Sequence, residues 1–309
     1  MTTAGDGTNA TPEHMYGHVL HPEEFLARAR YGSAPPSVEL APWVDRYWSV
    51  RWDLEEGTSY PVATLDDPCV HLTLERGGVI RRGADGGGTW ITGPVTRGVF
   101  DVRLSGRGSV VGVRFRRGGT AAFRSEAVST LRDRTVPAAR WFTDPPFPDD
   151  LPEDADDAAG ALDAWLLALG PRDTSALLTL RAVLDVLDDP AVTSLAALQE
   201  RTGMTARTLQ RLLARHVGVG PKRMLVRARV MDALAAIDRG DLRPAATIAA
   251  DLGWFDQSHF IRDVHAITGL TPAAYAARRD AARGDAARRD TDRRDVAGSA
   301  PAARSSAGR

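Results

Sequence analysis

The chain has 309 residues, a formal net charge of −1 and 43% hydrophobic residues. This length usually corresponds to about two domains. The near-neutral charge excludes a surface that binds polyanions over its whole area, but it leaves room for a locally basic module. The single cysteine, Cys69, excludes an internal disulfide. Because no apolar run approaches about 18 residues and the polar start lacks a signal sequence, we expect a cytoplasmic protein without a membrane anchor.

The residue composition of the N-terminal part changes near residue 36. Residues 1–35 mix Gly, Thr, Pro and His, which predicts a flexible lead. Over residues 36–147, apolar and polar residues alternate, and Gly or Pro interrupts them at short intervals. This pattern predicts a β-rich domain, either a barrel or a sandwich.

Two segments late in this domain, 97–104 and 109–115, are each expected to form a strand. Side chains two positions apart in a strand share a face. The alternation therefore predicts one face formed by Phe100, Val102 and Leu104 and another formed by Val111, Val113 and Phe115.

Beyond residue 148 the apolar period becomes helical. Residues 148–172 are predicted to contain a linker and an amphipathic helix that ends before Gly170. Its stripe is too apolar to remain exposed. It must pack on the β domain, on the helices that follow or on a second copy of the chain. The stripe consists of Leu162, Trp165, Leu166 and Leu169.

Residues 173–278 contain an internal repeat, and residues 279–309 are predicted to form a disordered tail because they lack apolar side chains to bury. Segments 194–225 and 247–275 share one order: a short helix, a glycine, an apolar residue, a polar cap and a second helix. A glycine turn followed by a capped helix is typical of a helix-turn-helix. The turn glycines are Gly203 and Gly253, the apolar residues are Met204 and Trp254, and the caps are Thr205 and Asp256.

The second helix of each unit presents polar side chains on its outer face, while Leu209, Leu212, Phe260 and Val264 are expected to be buried. Amide, hydroxyl and guanidinium groups can contact base edges and phosphates in a major groove. Ser258 and His259 do not form a catalytic pair, because neighbours on one helix do not face each other. The candidate DNA-binding residues are Arg207, Thr208, Gln210, Arg211 and Arg215 in the first unit and Gln257, Ser258, His259 and Arg262 in the second.

The text "GMTARTLQRLLARHVGVGPKRML" and, more specifically, "IAADLGWFDQSHFIRDVHAITGLTPAAY" resembles the AraC/XylS family of bacterial transcription regulators. The resemblance implies two helix-turn-helix units joined by a long helix, here at about residues 221–238, with recognition helices in successive major grooves. One departure is Gln199, where the family has an alanine such as Ala249, so a longer side chain must fit there. The implied partners are promoter or operator DNA, a small-molecule effector, RNA polymerase and a second copy of the chain.

The β domain resembles the cupin-like sensor domains that precede such DNA-binding regions. The interior of a barrel can hold a small ligand, and the candidate lining residues are Trp48, Trp52, His71 and Arg114; each could instead be purely structural. Because His71 and Cys69 are isolated in the sequence, no metal site is expected there, nor at the histidines of the lead. We expect no cofactor and no enzyme activity. The alternative is an enzyme or ligand-binding β domain with an associated helical part.

Overall fold

The computed structural model describes residues 11–281, apart from residues 17, 97 and 242. Within this region, one antiparallel sheet of eight strands is followed by helices. The predicted α+β fold class, with a mainly-β N-terminal domain and an all-α C-terminal domain, is confirmed. The strands are β1 (Ala29–Ala34), β2 (Val44–Asp53), β3 (Ser59–Thr64), β4 (His71–Arg81), β5 (Ala84–Asp85), β6 (Gly88–Thr92), β7 (Phe100–Phe115) and β8 (Thr135–Pro137).

The prediction of a flexible lead over residues 1–35 is wrong for the part that the structure describes. Helix α1 (Pro22–Leu26) lies there, and strand β1 pairs with β2 along its whole length. Ala29 and Ala34 at the ends of β1 are buried. The residues between them are Arg, Tyr, Gly and Ser, which do not alternate between apolar and polar. Strand β1 is held mainly by backbone pairing with β2, so its sequence does not reveal it. Residues 1–10 lie outside the described residues.

Strand β7 is the centre of the sheet. It pairs with β3 and then β2 along one edge and with β4 along the other. The prediction of separate strands at 97–104 and 109–115 is wrong, since one strand runs through both. A Cβ at Gly108 would lie 2.3 Å from Cζ2 of Trp52. The glycine therefore lets an aromatic ring cover the strand, and it does not end the strand.

The two faces of the sheet have different neighbours. Val111, Val113 and Phe115 are buried in a core that also contains helix α2 (Ala155–Ala168). Val102 and Leu104 belong to a separate core on the other face, together with residues of β2 and β3. The predicted division of these side chains between two faces is confirmed. We call the first face the helix-covered face and the second the cavity face.

Helix α2 (Ala155–Ala168) packs on the helix-covered face through its apolar stripe. Leu162 is fully buried, and the ring of Trp165 lies edge-on to Phe142 and Phe147, with centroid distances of 5.2 and 5.1 Å. Of the three surfaces considered from the sequence, the β domain of the same chain is the one that the stripe contacts. A second copy of the chain therefore cannot use this stripe.

The C-terminal domain contains the predicted tandem arrangement, and its long helix coincides with the expected residues 221–238. Residues 272–281 are also helical, and Arg279 is buried, with Nη1 donating to the carbonyl of Ile237. The predicted tail at 279–309 thus starts too early, and residues 282–309 lie outside the described residues. No helix in the described part is long and apolar enough to cross a membrane. The helices are α3 (Ser175–Leu187), α4 (Leu195–Thr202), α5 (Ala206–His216), α6 (Pro221–Asp238), α7 (Ala245–Asp251) and α8 (Gln257–Thr268).

The packing of α2 predicts a change in stability without a change in assembly. We expect Leu162→Ala to lower the free energy of unfolding by about 2 to 5 kcal/mol, because it leaves a cavity in a packed core. Leu167→Ala is the control, since Leu167 lies on the same helix and is 43% exposed. Urea unfolding and light scattering measure the two effects. A loss of self-association in Leu162→Ala at unchanged stability would contradict this packing.

The β domain and the helices share a buried contact at His21. Its ring stacks on Tyr275, with the centroids 4.8 Å apart, and Leu20 and Leu65 join the same helical core. Burial, assisted by the positive charge of Arg278, lowers the pKa of His21 from 6.5 to about 4. The folded protein therefore holds His21 neutral at pH values where an unfolded chain would protonate it.

This shift predicts acid destabilisation. The contribution of neutral His21 is present above pH 6.5 and is lost as the pH falls towards about 4, because the unfolded chain then binds the extra proton. We expect the free energy of unfolding to fall in both proteins when the pH is lowered from about 7 to about 5. The fall should be about 1 to 2 kcal/mol smaller in His21→Asn than in the unaltered chain. Asn tolerates the left-handed backbone of this position, where φ is 57°. Equal pH slopes in urea unfolding would refute the assignment.

Candidate nucleic-acid interface and cavity

Both helix-turn-helix units turn at a glycine with left-handed backbone. The φ angles are 66° at Gly203 and 77° at Gly253, a region that favours glycine. Behind the turns, Met204 packs against the core of the first unit, and Trp254 is buried in that of the second. Nε1 of Trp254 donates to Asp263 at 2.8 Å. The turns therefore have the geometry expected from the sequence.

The helix after each turn begins with a side-chain cap. The hydroxyl oxygen of Thr205 accepts a hydrogen bond from the backbone N–H of Thr208 at 3.2 Å. Oδ1 of Asp256 accepts one from the backbone N–H of His259 at 2.7 Å. Both predicted caps are confirmed, and they fix the starts of α5 and α8.

Each of these helices buries one face and exposes the other. Leu209 and Leu213 of α5 and Phe260 and Val264 of α8 are fully buried. Leu212, which we expected to be buried, is only partly so, because the inner face of α5 is centred on the other two leucines. Of the candidate DNA-binding residues, Thr208 is half-buried and the others are exposed: Arg207, Gln210, Arg211, Arg215, Gln257, Ser258, His259 and Arg262.

Two candidates in the first unit have contacts within the chain. Nη2 of Arg215 donates to the carbonyl of Ser125 in the β domain at 3.1 Å. The amide of Gln210 covers Gly220, where a Cβ would lie 2.3 Å from Oε1. Arg215 is thus directed towards the β domain, at the end of α5 away from Arg207.

Gln199 fits in the first unit without breaking it. The side chain is half-buried, whereas Ala249 at the matching place is only 1% exposed. Helix α4 still ends at the left-handed glycine. The longer side chain is therefore accommodated at the edge of the α4–α5 contact.

The cavity face encloses an apolar cavity of about 210 Å³. All four residues that we expected to line a ligand site, Trp48, Trp52, His71 and Arg114, lie on its wall. They come from β2, β4 and β7, whose alternate side chains point to this face. Residues far apart in sequence are thus brought together by strand register.

The two tryptophans differ in their hydrogen bonding. Nε1 of Trp52 donates to the carbonyl of Ser105 at 3.2 Å, so this ring is anchored to β7. Trp48 lies edge-on to His71 at 5.8 Å. Its Nε1 is buried and has no hydrogen-bond partner among the described residues. Of these two indoles, only that of Trp52 is anchored by a hydrogen bond among the described residues.

Arg114 holds a group of aspartates at one end of the cavity. Its guanidinium donates to Asp66 through Nε at 3.1 Å and Nη2 at 2.7 Å, and to Asp45 through Nη1 at 2.6 Å. Burial alone would raise the pKa of Asp66. However, Arg114 and hydrogen bonds from His18 and His71 keep it well below the usual value. Asp66 is accordingly a carboxylate.

Cys69, which the sequence analysis did not place in the cavity, joins His71 at this end. Sγ of Cys69 lies 3.2 Å from Nε2 of His71, and the same nitrogen lies 2.8 Å from Oδ2 of Asp66. Burial, reinforced by the charge of Asp66, raises the pKa of the Cys69 thiol well above its ordinary value. Cys69 is therefore a protonated thiol, unlike the activated thiolate of a nucleophilic enzyme.

A second polar pair, also missed from the sequence, lines the cavity further along β4. Nη1 of Arg81 donates to Glu75, and Oγ1 of Thr73 donates to the same carboxylate at 2.7 Å. The guanidinium lies over the ring of Trp90 at 5.1 Å. Burial raises the pKa of Glu75, although Arg81 partly opposes this shift. A charged residue within an otherwise apolar strand was the available signal for Glu75, whereas Asp66 lies in the connection between β3 and β4.

The cavity end is in contact with the helix that joins the two helix-turn-helix units. Nε of Arg227 in α6 donates to the backbone carbonyl of Asp66 at 2.6 Å. Elsewhere, Nε of Arg132 donates to the carbonyl of Gly218, just after α5, at 2.7 Å. The β domain therefore contacts both α6 and the end of α5.

Comparison with protein-family models gives two matches. Residues 33–137 match a domain of unknown function, DUF6597, and residues 198–278 match a helix-turn-helix domain. The second match covers both capped units and α6. Comparison with curated proteins gives no match.

Crystal structures of ToxT from Vibrio cholerae are among the solved structures that are similar to this chain. One in a P21 crystal form has 10% identity and a TM-score of 0.38, covering 74% of this chain and 97% of that one. Another, bound to (E)-4-(8-methylnaphthalen-1-yl)but-3-enoic acid, has 10% identity and a TM-score of 0.39, covering 81% and 98%. Scores this low carry no argument about this chain.

Proposed function

We propose that this chain, a member of the AraC/XylS family of DNA-binding transcription regulators, contacts its operator through the exposed faces of α5 and α8. The observation that carries the proposal is the repeated geometry: a left-handed glycine, a side-chain cap and a helix with an exposed polar face occur twice, on either side of α6. Two such helices can enter successive major grooves of one duplex.

The two units are proposed to contribute differently. In α8, Gln257, His259 and Arg262 are exposed, and the cap at Asp256 fixes the start of the helix. In α5, Arg207 and Arg211 are exposed, whereas Arg215 donates a hydrogen bond to the β domain. We assign base and phosphate contacts to the first turns of α5 and to the outer face of α8.

DNA binding by α8 is tested with Arg262. We expect Arg262→Ala to weaken operator binding by about 1 to 3 kcal/mol if the contact is to a base. If the contact is to a phosphate, it should reduce the salt dependence by about one ion. Fluorescence anisotropy over a range of salt concentrations, with an operator selected from the DNA upstream of the gene, measures both.

The matched control is Arg140→Ala, which removes the same charge from an exposed position in the β domain. This variant should bind as the unaltered chain does. An Arg262→Ala protein that is folded and binds with unchanged affinity and salt dependence would contradict the proposed face.

We further propose that the cavity holds a small, largely apolar effector. Its wall is mainly apolar with a few polar groups, which is the usual composition of a ligand site. The rings of Trp48 and Trp52 are among the wall residues that an apolar molecule could pack against. Contacts from the β domain to α6 and to the end of α5 provide a route by which occupancy could alter DNA binding, provided that the effector has different affinities for the two arrangements.

The cavity is tested by filling it. Val62 lies on the wall and is 8% exposed. We expect Val62→Phe to weaken binding of an apolar fluorescent dye about tenfold, or ~1.4 kcal/mol, because the ring occupies ligand space. Val38→Phe, at a valine that is 86% exposed, is the control. Equal dye binding by the two variants would refute a ligand site on the cavity face.

RNA polymerase and a second copy of the chain are further partners that we propose from the family resemblance. The stripe of α2 is buried within the chain and does not serve the second of these. Pairing of two copies would require a different surface.

A further inference from the structure

Three side chains at one end of the cavity bring lone-pair donors of different chemistry together. They are a carboxylate oxygen of Asp66, the thiol sulfur of Cys69 and the imidazole Nε2 of His71, all within 4.8 Å of one another. The separations are 2.8 Å between oxygen and nitrogen, 3.2 Å between sulfur and nitrogen and 3.6 Å between sulfur and oxygen. The three atoms surround one point.

This convergence differs from a catalytic triad. In a triad, the nucleophile and the carboxylate contact opposite nitrogens of the histidine, so that one proton passes on each side. Here the sulfur and the carboxylate oxygen both contact Nε2 of His71. In a metal site, by contrast, the ligand atoms all face one point, as these three atoms do.

Local sequence explains how two of the donors come to share a side. Val70 lies between Cys69 and His71, and it is buried in the core of the helix-covered face. Its carbonyl accepts from the backbone N–H of Phe115, so the segment is extended. In extended chain, positions two apart point to the same side. Cys69 and His71 are therefore both directed to the cavity face.

We propose that Asp66, Cys69 and His71 form a binding site for one divalent transition-metal ion, with Zn²⁺ as the best match. Binding of the ion displaces the proton of the Cys69 thiol into solvent, and the resulting thiolate, with one imidazole and one carboxylate, forms a borderline-soft ligand set that suits zinc. Zinc bonds of about 2.0 to 2.3 Å in tetrahedral geometry separate ligand atoms by about 3.3 to 3.6 Å. The observed separations differ from these by about half an ångström or less, so small side-chain rotations complete the site.

His18 lies outside this set, because its Nδ1 contacts the other carboxylate oxygen, Oδ1 of Asp66, at 3.1 Å. Arg114 donates to both oxygens of the same carboxylate, and such outer hydrogen bonds orient metal-binding carboxylates. Arg114 is thus a positioning residue in this proposal, and the fourth position of the tetrahedron is left for water or a molecule in the cavity.

Metal occupancy would fix the segment that contacts the DNA-binding domain. Asp66 supplies a ligand through its side chain, while its carbonyl accepts the hydrogen bond from Arg227 of α6 at 2.6 Å. Leu65, the preceding residue, is fully buried in the core of α6, α7 and α8. The ion would therefore hold both the cavity end and this contact.

The test uses the full-length chain without an affinity tag, stripped with chelator and titrated with Co²⁺. A cobalt–thiolate bond gives a near-ultraviolet charge-transfer band that serine cannot give. We expect the band to saturate at one equivalent, to disappear on addition of one equivalent of Zn²⁺ and to be missing from Cys69→Ser. His71→Asn should weaken Zn²⁺ binding at least tenfold in competition with a chromophoric chelator.

His14→Gln is the matched control, because His14 lines the same cavity but is bonded to the hydroxyl of Tyr31 at 2.9 Å. It should keep the band and the affinity. Circular dichroism establishes that each variant is folded. The proposal is overturned if the unaltered chain shows no band at millimolar Co²⁺, or if the band persists in Cys69→Ser. Neither result bears on DNA binding, which is measured separately.

Discussion

Asp66 makes hydrogen bonds with two different parts of the molecule. Its side chain accepts hydrogen bonds from Arg114 inside the β domain, and its backbone carbonyl accepts one from Arg227 of α6. Both arginines are buried and require partners, since an isolated buried charge is strongly unfavourable. Burial indeed lowers the pKa of Arg227, while nearby aspartates partly oppose the shift. The short connection between β3 and β4 thus carries one of the contacts between the β domain and the helix-turn-helix region.

Strand alternation determines what surrounds this connection. The sequence predicted which side chains share a face, as with Val111 and Phe115, because that property follows from the period of two. It did not predict which face would receive α2, since periodicity describes a strand and not its neighbours. Strand β1 was missed. It depends on pairing with β2, and its own residues show little apolar alternation.

The two kinds of site differed in how much the sequence revealed. The candidate DNA-binding faces follow from local rules: a glycine turn, a cap three residues before the N–H that it binds, and the helical period. These contacts span a few residues, so they can be inferred from the sequence text. The polar end of the cavity depends on strand register, which places His71 opposite Arg114 across β4 and β7. No local pattern indicates that register, and the charged residues beside it remained isolated in the sequence analysis.

The same geometry limits how a signal can reach DNA. Helix α6 has 18 residues and is buried along much of its length, so the two helix-turn-helix units are attached to one rigid element. The β domain contacts that element through Arg227, and it contacts the end of α5 through Gly218. An effector that binds equally well whether these contacts are made or broken would change nothing, however tight its binding. The segment around Asp66 is one place where a ligand could discriminate between these arrangements, because that segment belongs both to the cavity wall and to the contact with α6.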